Sequence, residues 1–157
     1  MSGFRRGVRL GIDVGAARVG VAKCDPDGLL ATPVETVTRN EQSVARILEL
    51  CAEYDPTEIL VGLPLNMRGE DTASTTDARA FAAAVAAASA VPVRLVDERL
   101  STVSAHAALR DSGRTQRSSR SIVDQVAAVV LLQQALDVEK NTGRPPGIPV
   151  PPAQEPA

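Results

Sequence analysis

The sequence predicts an α/β domain: a mixed five-stranded sheet, three antiparallel strands followed by two parallel additions, flanked by helices. Three observations lead to this class. Apolar runs at residues 8–14, 19–24 and about 29–37 are joined by short turns rich in Gly, Pro and Asp, which makes an antiparallel meander. Two later apolar runs, at residues 58–61 and 91–96, each follow a stretch of helical length and composition, as parallel additions to a sheet do. A last helical stretch, about residues 121–139, closes the domain.

Taken in order, residues 1–7 are polar and basic and read as a flexible N-terminus, with Arg5, Arg6 and Arg9 at the approach to the first strand. Gly15 to Arg18 turns the chain into the second strand, and Asp25-Pro26-Asp27-Gly28 is a tight-turn signature leading to the third. Asn40 offers an N-cap to a helix that reaches about Glu53, with Val44, Ile47, Leu48 and Cys51 on one face. After Asp55-Pro56 the fourth strand runs into residues 62–69, a loop by its Gly and Pro content, and an Ala-rich helix follows over about residues 72–90. The fifth strand ends in Asp97-Glu98-Arg99. Ser101 or Thr102 caps a helix to about Arg110, whose His106 is expected on the surface. Residues 111–120 lack apolar periodicity, carry Arg114, Arg117 and Arg120, and read as a mobile basic loop. The final helix buries Ile122, Val126, Val129, Val130 and Leu132 and holds Asp124 in its first turn. Residues 140–157, rich in Pro, read as a disordered tail, which leaves one domain at residues 8–139.

Composition narrows the function classes. With 157 residues, 44% hydrophobic and 23% charged, the chain is a soluble globular domain rather than a disordered one. Aromatics are 2% and Trp is absent, so the core must be aliphatic and stacking platforms for bases are scarce. The net charge of −2 does not announce nucleic-acid binding by totals. Arg greatly outnumbers Lys, whose positions are Lys23 and Lys140 alone; Arg suits bidentate phosphate contacts, and genome composition accounts for the bias equally well. Cys24 and Cys51 lack CxxC spacing and His106 cannot complete a zinc set with them, so both read as reduced buried thiols. The N-terminus lacks an apolar signal region and no run approaches the ~18 apolar residues of a membrane span, so a cytoplasmic protein without a membrane partner is expected.

Chemistry concentrates in Leu10-Gly11-Ile12-Asp13-Val14-Gly15, where an apolar strand delivers one carboxylate into a glycine-rich turn. An Asp in such surroundings is costly to desolvate unless it is paired or holds a metal. Glu98 at a strand end and Asp124 at a helix start are its candidate partners in a sheet flanked by helices. Three carboxylates around one point repel unless a hard divalent cation is present, and an all-oxygen set favours Mg²⁺ or Mn²⁺. Two such ions ~3.5–4 Å apart can activate water and stabilise the leaving oxygen in phosphodiester hydrolysis. Each acid also has a plainer reading. Asp124 can complement the helix dipole, and Glu98 can pair with Arg94 or Arg99 at the surface. Asp13 has no such simple account.

Three motifs resemble the YqgF/RuvX family of Holliday junction resolvases: Gly11-Ile12-Asp13-Val14-Gly15 with Arg18 and Gly20; Val61-Gly62-Leu63-Pro64-Leu65-Asn66; and Asp97-Glu98-Arg99-Leu100-Ser101-Thr102 followed by Asp124-Gln125-Val126-Ala127-Ala128. Their order and spacing cover about residues 8–137. The resemblance implies an RNase H-like fold, metal-binding catalytic acids at Asp13, Glu98 and Asp124, and a divalent-metal-dependent endonuclease. Family members are associated with cleaving Holliday junctions and with trimming the 5′ end of precursor 16S ribosomal RNA. Arg18 and Asn66 match positions assigned to the phosphate backbone, and Arg114, Arg117 and Arg120 are further candidates for substrate contact. One departure stands out. The related RuvC resolvases place a further acid one turn from the last-helix Asp, whereas Ser121 occupies that position here.

Two other readings compete. Asp13-Val14-Gly15 also looks like the phosphate motif of actin and sugar-kinase ATPases, but those close two related domains on the nucleotide and this chain has length for one. A non-catalytic nucleic-acid-binding or ribosome-assembly factor on the same fold would not need all three acids. Symmetric cutting of a four-way junction requires two sites, so the DNA reading carries an expectation of a homodimer.

Overall fold

The computed structural model describes residues 4–98 and 116–151. The strands are β1 (Arg9–Val14), β2 (Arg18–Cys24), β3 (Ala31–Thr38), β4 (Glu58–Leu63), β5 (Val93–Asp97) and β6 (Ile148–Pro149), with helices α1 (Ser43–Tyr54), α2 (Ala73–Ala88) and α3 (Gln116–Thr142). They form one sheet in the order β3-β2-β1-β4-β5-β6. β1, β2 and β3 pair antiparallel, and β4 and β5 add parallel to β1, as the sequence predicts. The count is six rather than five, because β6 pairs antiparallel with β5. Two residues of β6 lie in the segment expected to be a disordered tail. Arg94 holds that segment through Nε and Nη2, which donate to the carbonyls of Pro146 and Gly147 at 2.7 and 3.0 Å.

Strand alternation sorts the side chains onto two faces. Leu10, Ile12, Val19, Val21, Ile59 and Val61 pack against Ile47 and Leu50 of α1 and Phe81, Ala82 and Val85 of α2. Ala22, Cys24 and Leu60 face the other way, onto Ala128, Leu132, Ala135 and Leu136 of α3. The core is therefore aliphatic, with Phe81 its aromatic member. Burying each Leu, Ile or Val in it contributes about 1.5–3 kcal/mol relative to exposure.

On the α3 face the strands carry glycines at the crossing points. A Cβ at Gly11 would lie 2.8 Å from Leu132 Cβ, and one at Gly20 would overlap the carbonyl of Asp124. The helix lies close on the sheet because those side chains are missing. At the far end of the same face Arg9, 2% exposed, pairs with Glu139 at 3.0 Å. Arg5 bridges Glu139 and Glu58 at 2.6 and 2.9 Å, tying the N-terminal residues to the C-terminal part of α3.

Local chemistry moves several boundaries. β3 begins at Ala31 rather than Leu29, because the Asp25 carboxylate accepts the N–H groups of Asp27, Leu29 and Leu30 and holds both leucines in the turn, exposed. Asn40 does not cap α1. Its side chain accepts from Gln42 N–H at 2.8 Å in a turn that precedes the helix, which starts at Ser43. Thr72 does cap α2, in a reciprocal arrangement with Thr75. The last helix starts at Gln116, so residues 116–120 are helical rather than a basic loop. Their polar sequence has no apolar stripe to announce a helix. The helix capped by Ser101 or Thr102, with His106 and Arg114, lies outside the described residues. Among the described residues no helix is long and apolar enough to cross a membrane.

Candidate active site

Asp13 is the penultimate residue of β1, opposite Gly20 of β2. It shares the α3 face with Gly11 by strand alternation. Glu98 follows β5 directly, and its N–H donates to the Leu63 carbonyl at 3.3 Å, which extends the β4–β5 ladder by one step. Its carboxylate lies over Gly62, where a Cβ would overlap Oε2. A side chain at position 62 would therefore evict Glu98. The result is a carboxyl pair at the C-terminal ends of the parallel strands, the edge where open α/β sheets place their ligands.

Glu98 is 7% exposed and hydrogen-bonded to Asp13. Burial, then the charge and hydrogen bond of Asp13, and last the charge of Asp97 push its carboxyl up to about 9. At neutral pH the pair therefore holds a proton between two groups that would otherwise both be ionised. A hard cation satisfies the same two groups without the proton. In donor chemistry Asp13 and Glu98 fit a divalent metal.

Asp124 reaches this corner by a different route. It lies about two turns into α3 rather than in the first turn, so the helix dipole does not account for it. Its main chain rests on Gly20, the cross-strand partner of Asp13. Its side chain turns to Arg18, whose Nε donates to Oδ2 at 2.7 Å; the Arg18 and Asp124 side chains are 35% and 15% exposed. Among the described residues no group of three or more His, Cys, Asp or Glu is arranged to hold a metal. The structure thus joins Asp13 to Glu98 and places Asp124 against Gly20, engaged by an arginine.

Arg18 begins β2, just past the turn in which Gly15 N–H donates to the Arg18 carbonyl at 2.8 Å. The Asn66 side chain is spent within its own loop: Oδ1 accepts from Arg68 and Glu70 N–H at 2.9 Å each. Arg117 and Arg120 stand on the first turns of α3. One residue escaped sequence reasoning. Arg39, just after β3, makes a two-pronged ion pair with Asp77 of α2 at 2.8 and 2.7 Å and donates to the Gly15 carbonyl at 2.9 Å. It fastens the β1–β2 turn to α2 and lines a groove of about 760 Å³ with Gly15, Ala16, Ser74 and Asp77. An isolated Arg after a strand carries no local signal of this.

A family model described as RuvX, Holliday junction resolvase, matches residues 7–138. Similar curated proteins carry the provisional name pre-16S rRNA nuclease. One from Clavibacter sepedonicus is 57% identical over 151 residues, covering 94% of each chain. One from Streptomyces coelicolor is 53% identical over 147 residues, covering 92% of this chain and 88% of that one. Among solved structures, Thermus thermophilus RuvC in complex with a Holliday junction substrate superposes with a TM-score of 0.56 at 20% identity, over 90% of this chain and 98% of that one. At that identity the likeness shows the fold.

Proposed function

Since this chain belongs to the RuvX Holliday junction resolvase family, we propose that it is an endonuclease that hydrolyses phosphodiester bonds in structured nucleic acid, with Asp13, Glu98 and Asp124 as its metal-binding acids. The observation that carries the proposal is the contact of the buried Glu98 carboxyl with Asp13 at the strand ends. A buried carboxyl held against a second one is a net cost to the fold, which a catalytic metal site explains and a packing role does not.

Asp13 and Glu98 would supply two carboxylates that the fold holds together despite their repulsion, and Asp124 a third from α3 once its side chain leaves Arg18. These groups would hold a divalent ion, Mg²⁺ or Mn²⁺, which when bound would supply the charge that activates an attacking water and stabilises the leaving oxygen. Glu98 gives up its shared proton as the site charges. The glycines at positions 11, 20 and 62 let α3 and the Glu98 carboxyl close in around Asp13. Arg18 and Asn66 are candidates for contact with that backbone, as are Arg114, Arg117 and Arg120.

The substrate is a Holliday junction, as the family description has it, or pre-16S rRNA, as the names of the relatives have it. The deciding experiment incubates both with wild-type and Asp13→Asn protein, in Mg²⁺ and in Mn²⁺. Cleavage of either substrate by the wild type, lost in the variant with an unchanged circular dichroism spectrum, is the expected result. Cleavage retained in Asp13→Asn would overturn the assignment. Paired cuts in the junction would further call for two sites, and hence a homodimer on that substrate.

A second reading draws on the engagement of Asp124 by Arg18, which leaves the acids incomplete as a metal site: a nucleic-acid-binding or ribosome-assembly factor without catalysis. Binding insensitive to divalent ions, with neither substrate cut, would favour it.

A further inference from the structure

We infer that Arg18 is a resident counter-ion that competes with a divalent cation for Asp124, so that this carboxylate joins Asp13 and Glu98 only when the cation displaces the guanidinium. The inference rests on the metal-dependent reading above and adds a positioning residue to it.

The geometry confines the exchange to side chains. Asp124 cannot shift its backbone toward the sheet, since its carbonyl already rests on Gly20 in the space a Cβ would take. Arg18 is anchored at the other end, its carbonyl accepting Gly15 N–H at 2.8 Å and its backbone paired with Thr38 across β2 and β3. Between the two anchors lies one hydrogen bond, Nε to Oδ2 at 2.7 Å. Arg18, Gly20 and Cys24 alternate onto the same face of β2, and Gly20 stands opposite Asp13. The guanidinium therefore approaches Asp124 from the strand that neighbours the Asp13–Glu98 pair, which makes the arginine a monovalent stand-in for the cation at that corner.

The electrostatics favour exchange. Arg18 is one-third exposed, so water screens the pair and its net strength is modest. A divalent ion bound by Asp13 and Glu98 gains a third ligand by taking Asp124, and its charge then repels the guanidinium. Arg18 is released beside the site as a planar donor suited to a phosphate, so one residue guards the carboxylate without metal and faces the substrate with it.

Equilibrium Mn²⁺ binding to the full-length protein without nucleic acid tests this, read by electron paramagnetic resonance of the free ion. Arg18→Gln is expected to tighten Mn²⁺ binding about 3- to 10-fold, since a hydrogen bond to a charged group must no longer be broken. Arg18→Lys keeps a positive charge and is expected to stay within about 2-fold of wild type if charge is what competes. In an Asp124→Asn background, Arg18→Gln should add nothing, which shows that the effect passes through this carboxylate. Far-UV circular dichroism and melting of each variant confirm that it is folded. Equal or weaker Mn²⁺ binding by folded Arg18→Gln overturns the inference and leaves the metal reading standing. No Mn²⁺ uptake by wild type or any variant overturns the metal reading and the inference with it.

Discussion

Glu98 concentrates the electrostatic stress of this molecule in one side chain. Its carboxyl is raised from 4.5 to about 9 by burial and by Asp13, so the folded state binds a proton that the unfolded state releases. The sign follows: stability is full below about pH 4.5 and falls as pH rises toward about 9. Glu98→Gln removes that loss. The variant should melt at least about 3 °C above wild type at pH 8 without metal, and near wild type at pH 4.5, in paired thermal scans. A variant melting at or below wild type at pH 8 would show that the pair is not under strain. The same proton opposes metal. Mg²⁺ should therefore raise the melting temperature more at pH 9 than at pH 6, because the ion must displace the proton Glu98 holds.

Among the elements, α3 organises the protein. Its close seat depends on Gly20, where an added Cβ meets the Asp124 carbonyl rather than a flexible side chain. Gly20→Ala should destabilise the fold by about 1–3 kcal/mol in urea titration and lower cleavage further by displacing Asp124. The other end of the same helix is held by charge. Glu139 is 2% exposed and accepts from Arg5 and Arg9 at 2.6 and 3.0 Å, with the Phe4 ring 4.6 Å from the Arg9 guanidinium. Glu139→Ala leaves Arg9 buried without that partner and should cost about 3–5 kcal/mol. Unfolding midpoints in urea check both costs.

At the scale of the whole molecule, a net charge of −2 and 2% aromatics give little long-range attraction to nucleic acid and few surfaces for base stacking. Recognition of the proposed substrate then falls to backbone contacts and shape rather than to stacking. Binding of a four-way junction or precursor RNA should weaken steeply with salt, roughly 10-fold or more between 50 and 200 mM, as contacted phosphates recover their counterions. A flat dependence in filter binding would count against phosphate recognition. The sheet gives this surface a direction, since Asp13 and Glu98 both stand at the ends of strands that run parallel.

The sequence by itself determined the meander, the two parallel strands and the position of Asp13 at the end of an apolar strand. Alternation, turn chemistry such as Asp25-Pro26-Asp27-Gly28, and the isolation of Asp13 among apolar residues are all local signals, readable over a few residues. Tertiary structure decided what lies across long separations in the chain. It set Glu98 against Asp13 and gave Asp124 to Arg18, and it returned Ile148 and Pro149 to the edge of β5. It also showed that Asn66 serves its own loop and that Arg39 fastens a turn to a helix. The physical reason is the same in each case. A hydrogen bond or ion pair between distant residues leaves no periodicity behind, and an arginine reads alike whether its partner is a phosphate or an aspartate.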